Sequence, residues 1–215
     1  MEKHKKKLAL ATSYLLHPLL MPTFGLILVY LVGNIQGFNP YSNDEDIKTV
    51  YIVIFSLFIV TGIFPIIIGL ILKRLNYISN LHMPKREERI IPFIITCASY
   101  LGIIYLYTEV LHLNIDHKIH SFIAGATIAI MIGLVITLSW KISLHMIGIG
   151  GIVGMIVLVS KLGETVLLYP LMLTILIAGI IGFGRLYLKA HNIQQVIAGF
   201  FLGFFSELIP LIFFF

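Results

Sequence analysis

The 215-residue chain is 59% hydrophobic and only 12% charged, with a net charge of +5 and a mean hydropathy of +1.00. That balance excludes a soluble globular domain and a nucleic-acid-binding module, and the single cysteine, Cys97, excludes an intramolecular disulfide. What remains is an integral membrane protein, because apolar runs of about 18 residues or more cross the roughly 30 Å hydrocarbon layer as helices.

Seven such runs are predicted, and together they make one integral membrane domain over residues 1–215, an all-α polytopic bundle of six to seven spans. The first, residues 10–33, follows the basic start MEKHKKK and imitates a signal peptide. Its apolar run continues to Gly33 with no polar cleavage region, so it reads as a retained anchor, and His17, Pro18 and Pro22 predict a broken or re-entrant segment. NPYSNDED at 39–46 reads as a solvated turn before the second run, 49–72. The polar stretch KREERIIP at 85–92 leads into the third run, 90–108. HLNIDHKIH brings His112, Asp116, His117 and His120 together, and reads as a solvated interfacial loop rather than a metal site. The fourth run covers 119–139, KISLHM occupies 141–146, and the fifth covers 142–160. The fifth carries GIGGIVG at 148–154, small residues spaced for close helix packing, as are Gly199 and Gly203. The sixth run is 165–183, RLYLKAH fills 185–191, and the seventh is 193–215, with the ionisable Glu207 inside it.

Counting crossings sorts the polar groups. Twelve of the fifteen basic residues fall on one side: Lys3, Lys5, Lys6, Lys7, Lys73, Arg74, Lys85, Arg86, Arg89, Lys141, Arg185 and Lys189. Only Lys48, Lys118 and Lys161 fall on the other, which makes the first side cytoplasmic by the positive-inside rule. The polar loops near 73–92, 140–146 and 184–195 follow the second, fourth and sixth runs, so all three emerge on the same face and can converge on one site.

The residues on that face suit phosphate. Arg grips it as a bidentate fork and Lys as a point charge, and a histidine beside them serves as nucleophile or general acid. His191 and Gln195 are four apart at the start of a helix, on one face, so Gln195 can orient the imidazole by a hydrogen bond.

Arg185, five intervening residues, His191, three more, Gln195 and then VIAG resemble the third motif of the type 2 phosphatidic acid phosphatase superfamily, in the branches with glutamine where most members have aspartate. Ser143 and His145 in SLH are similar to the serine and histidine of that family's second motif, with Leu144 where glycine is usual. Lys85, Arg86 and Arg89 stand where its first motif should be, with Ile91 rather than arginine before Pro92. The resemblance implies a metal-independent, cofactor-free hydrolysis of a phosphorylated lipid of the undecaprenyl diphosphate, phosphatidic acid or phosphatidylglycerol phosphate type, in a bacterial inner membrane. It implies that His191 attacks phosphorus, that His145 protonates the leaving oxygen, and that Arg185, Ser143 and the first-motif cations hold the phosphoryl oxygens. Two readings of other classes stand beside it: a non-catalytic relative that binds or moves a phosphorylated lipid, and a transporter using His17 and Glu207.

Overall fold

Proline decides where several of the helices begin and break. In the computed structural model, which describes residues 2–35, 44–81, 83, 85, 87–112, 117–162 and 167–210, the first apolar run is two helices rather than one. α1 (Glu2–Leu15) stops before His17, whose ψ of 138° is the extended conformation that a following proline imposes. A short 3-10 turn, Pro18–Leu20, then leads into α2 (Met21–Ile35), where Pro22 sits harmlessly in the first turn.

α3 (Asp44–Leu57) passes through a π-helical stretch, Phe58–Ile63, into α4 (Phe64–Arg74). Pro65 has no N–H to give the carbonyl of Thr61, and the widened turn lets the helix run on past it. A 3-10 turn, Glu87–Arg89, opens α5 (Ile90–Tyr105), which carries Pro92 in its first turn and ends in a second π-helical stretch, Leu106–Val110. α6 (His117–Thr137), α7 (Leu144–Leu162), α8 (Leu168–Tyr187) and α9 (Ile193–Leu208) complete the described helices.

The described residues form no strand, and six helical stretches are long and apolar enough to cross a membrane: His4–Leu28, Lys48–Arg74, Glu87–Val110, Ile119–Thr137, Leu144–Lys161 and Leu168–Tyr187. Ile193–Leu208 is a shorter apolar helix of 16 residues, about 24 Å at 1.5 Å per residue. Phe55, Ile67, Leu101, Leu176 and Phe205 are exposed on the flanks, as lipid-facing side chains are. The protein is therefore an all-α polytopic membrane bundle.

α7 is its axis: 67% of its apolar window is buried, against 28–44% for the other five spans. Ile149, Ile152, Met155 and Ile156 of α7 meet Met21 and Leu26 of α2, Phe122 and Ile123 of α6, Ile181 of α8 and Val196 of α9 in one core. Along α9 the approach is backbone to backbone. A Cβ at Gly199 would sit 2.7 Å from the carbonyl oxygen of Ser143, and one at Gly203 would fall onto that of Ile147. The seam fixes how the start of α9 sits against the start of α7, where the polar loops lie.

Candidate functional site

α8 ends because Lys189 takes a left-handed conformation, φ 51°, beyond the cap residue Leu188. Its closing turn bends back on Arg185, whose carbonyl accepts from the N–H groups of Ala190 (3.1 Å) and His191 (3.4 Å). The six-residue spacing between Arg185 and His191 is thus the width of one helix ending.

α9 starts immediately after, with a reciprocal cap. The Oδ1 of Asn192 accepts from the N–H of Gln195 at 2.9 Å, and Gln195 Oε1 accepts from the N–H of Asn192 at 3.2 Å. Gln195 Oε1 also lies 3.2 Å from His191 Nδ1. Because the Asn192 N–H is a donor, the glutamine must present its carbonyl oxygen to both groups, so His191 carries its proton on Nδ1 and its lone pair on Nε2.

The cations come from separate stretches of the chain. Arg89, 9% exposed, donates from Nε to the carbonyl of Met83 at 3.0 Å. Lys141 precedes α7, and both its burial and the nearby charges of Arg89 and Arg185 lower its pKa. His191 is 8% exposed, and its pKa is pushed down to about 3 by burial first, then by Arg185, Arg89 and Lys141, against the opposing hydrogen bond to Gln195. An imidazole so placed is neutral at pH 7.

His145, on the first turn of α7, is within electrostatic reach of Arg185, His17 and His191. Its Nε2 lies 3.0 Å from the carbonyl of Ser13, and its ring meets that of His17 edge-on, centroids 5.7 Å apart at 72°. Arg185 Nη1 donates to Ser13 Oγ at 3.1 Å, while Arg185 Nε is buried without a partner among the described residues. Ser143 is fully buried and its hydroxyl likewise has no partner there.

Of the residues singled out in the sequence, the structure gathers His191, Gln195, Arg185, His145 and Arg89 at one end of the bundle, with Ser143 at the mouth of α7 beside them. Lys85 is exposed, and none of the interactions that tie the group together involves it. Arg86 lies outside the described residues. Sequence reasoning missed Lys141 and Ser13 as members. Lys141 was legible in principle, two residues before Ser143 in KISLHM, whereas Ser13 sits in an apolar stretch with no local signal.

Two other polar features fall elsewhere. Glu207 is 1% exposed, with Oε2 unpartnered among the described residues, and faces a cavity of about 40 Å³ lined also by Tyr100, Phe122, Leu144 and Ile147. Asp116 lies outside the described residues, and among those described no group of three or more His, Cys, Asp or Glu side chains is disposed to hold a metal ion.

Fold and cluster together define a class, a polytopic α-helical membrane protein with a cationic, histidine-bearing cluster at one end of its bundle. No protein-family model, curated protein or solved structure matches the chain.

Proposed function

We propose that the protein is a membrane phosphohydrolase of the type 2 phosphatidic acid phosphatase kind, acting on a lipid phosphate or lipid diphosphate through a phosphohistidine at His191. The observation that carries this reading is the imidazole of His191, held neutral with its Nε2 lone pair free to attack, beside three cations drawn from three separate stretches of the chain. Such a group has no use for that much positive charge unless an anion comes to it.

In the first step Nε2 of His191 forms a bond to phosphorus as the bond from phosphorus to the lipid oxygen breaks, and that oxygen takes a proton from His145. In the second, water gives a proton to His145 as it attacks phosphorus, the N–P bond breaks, and inorganic phosphate leaves with that proton. Arg185 Nε and the Ser143 hydroxyl, both lacking an acceptor, are donors ready for phosphoryl oxygens, and Arg89 and Lys141 add charge where the transition state is most anionic. The reading requires no metal or cofactor. The lipid tail would lie between helices while the headgroup enters from the bilayer surface on the basic side of the bundle.

The test is phosphate release by the purified protein in detergent, over a panel of lipid phosphates and diphosphates, with His191→Ala beside wild type. Release that disappears in the variant, together with acid-labile ³²P on wild-type protein only, supports the reading. A folded wild type that binds these lipids yet never becomes phosphorylated overturns it. That outcome would favour a non-catalytic binder of phosphorylated lipids, a reading supported by the exposure of Lys85, which leaves Arg89 as the one described first-motif cation in the cluster.

A further inference from the structure

The cluster has a member that none of the three motif-bearing loops supplies. Ser13 lies on the last turn of α1, 172 residues from Arg185 and 132 from His145 in sequence, yet it touches both. Its hydroxyl hydrogen goes to the carbonyl of Ala9 at 2.8 Å, which leaves the oxygen lone pairs to accept Arg185 Nη1 at 3.1 Å. Its carbonyl faces His145 Nε2 at 3.0 Å, and a carbonyl only accepts, so in neutral His145 the proton sits on Nε2 and the lone pair on Nδ1.

The arm that carries Ser13 is itself held in place. His17 Nδ1 accepts from the N–H of Leu19 at 3.4 Å, closing the turn at the break, and the His17 ring abuts that of His145. On the same stretch of α1, Ala9 and Thr12 pack against Gly184, next to Arg185.

We propose that Ser13 is a positioning residue of the phosphate site: its hydroxyl aims the Arg185 guanidinium, and its carbonyl commits His145 Nε2, so that Nδ1, which bears the lone pair in the neutral ring, is the atom that takes up the proton of the bound phosphate monoanion and hands it on to the leaving oxygen. This rests on the phosphohydrolase reading of the same site. Arg185 reaches two ways, with Nη1 tied to the arm and Nε open to the ligand, so α1 and the phosphoryl group are bound by one side chain. The groups that face His145 are Ser13 and His17 from the N-terminal arm, Arg185 from α8 and His191 from the turn after it. The Ser13 carbonyl is the group that holds a defined ring nitrogen.

Two measurements test the assignment without needing turnover. The first is binding of orthovanadate and of inorganic phosphate to purified Ser13→Ala, Ser13→Thr and Arg185→Ala. A hydrogen bond to a charged group carries roughly ten- to a hundredfold in equilibrium, and part of it is transmitted to the ligand. Ser13→Ala should therefore weaken binding by about tenfold, and Ser13→Thr, which keeps the hydroxyl, should rescue most of that loss. Equal binding by Ser13→Ala and wild type overturns the role of the hydroxyl, while a loss confined to Arg185→Ala leaves the anion site standing without Ser13. No loss even in Arg185→Ala defeats the anion-site reading itself.

The second is ¹⁵N spectroscopy of histidine-labelled protein at pH 8, with His145→Gln to assign the signal. His145 protonated at Nε2 is the expected result, and a signal protonated at Nδ1 overturns the assignment of the reacting nitrogen whether or not the protein hydrolyses anything.

Discussion

Alanine at Gly199 tests whether the α7–α9 seam sets the geometry of the site. The new Cβ would lie 2.7 Å from the Ser143 carbonyl oxygen, 3.1 Å from Met146 Cβ and 3.5 Å from the Ile147 nitrogen. Ordinary contact begins near 3.4 Å, so α9 must withdraw from α7 by about 0.7 Å at that point. The obstructing atom is backbone, and no flexible side chain can yield instead. Overpacking of this kind costs about 1–3 kcal/mol. The displaced elements are the ones that matter: Ser143 and His145 begin α7, whereas Gln195, which orients His191, sits one turn before Gly199 on α9. A misplacement approaching 1 Å between nucleophile and phosphate donors lowers a rate by up to about a hundredfold, so Gly199→Ala should lose on the order of tenfold or more in kcat/KM. The assay is phosphate release beside thermal unfolding in detergent. Gly102→Ala and Gly179→Ala, where a Cβ meets nothing within 4 Å, serve as controls. Unfolding at the wild-type temperature would show that the two backbones are not so close. Weaker folding with unchanged kcat/KM would show that the seam does not control the site.

Three further outcomes follow from the same geometry. His191 has a folded-state pKa of about 3, against an ordinary value near 6.5, so between those values the unfolded chain holds the extra proton and the folded one does not. Stability should be intact above about pH 6.5 and fall with decreasing pH towards 3, by up to about 1.4 kcal/mol per unit from this group; melting in detergent from pH 7.5 to 4 should flatten in His191→Gln, and an unchanged slope would refute the assignment. Gln195→Glu keeps the reach to both His191 and Asn192 while adding a carboxylate, so it should raise the His191 pKa and stabilise the cationic phosphohistidine; ¹⁵N titration and kcat report it, and no movement in either would count against the orienting role. Lys189 is exposed and left-handed at φ 51°, so Lys189→Gly should relieve about 0.5–1 kcal/mol and raise the melting temperature; a lower melting temperature would mean that the lysine side chain itself supports the turn.

What was legible in the sequence was whatever depends on composition and on order along the chain. Hydropathy marks the apolar runs, and Arg185, His191 and Gln195 lie within one helix ending and the next helix start, where spacing alone places them together. The seventh run illustrates the limit. Hydropathy continues to Phe215, but the described helix ends at Leu208, because apolar character does not say where backbone turns, and residues 211–215 lie outside the described residues. Ser13 was out of reach for another reason: its two contacts close loops of 132 and 172 residues, and such closure leaves no periodic trace. Glu207 looked anomalous in an apolar helix, and the notch that admits it consists of Gly125, Gly151 and Gly154 on two other helices.

The break at His17 bears on the arrangement of the whole bundle. Because Ser13 and His17 touch His145 and Arg185, the break lies at the same end as the loops after α4, α6 and α8. α2 then runs away from that end, α3 with α4 returns, and each later pair repeats the excursion, which delivers Arg89, Lys141 and His191 to one place. α1 packs against the end of α8, at the same end of the bundle. That placement weakens the charge argument for sidedness while strengthening the argument for a site. Setting aside Lys85, Arg86, Arg89, Lys141 and Arg185 as candidate ligand-binding residues reduces the bias to seven against three. Four of those seven, Lys3, Lys5, Lys6 and Lys7, belong to α1, the helix that also carries Ser13. The basic N-terminus and the cationic cluster are thus joined through a single helix, whose Ser13 holds Arg185.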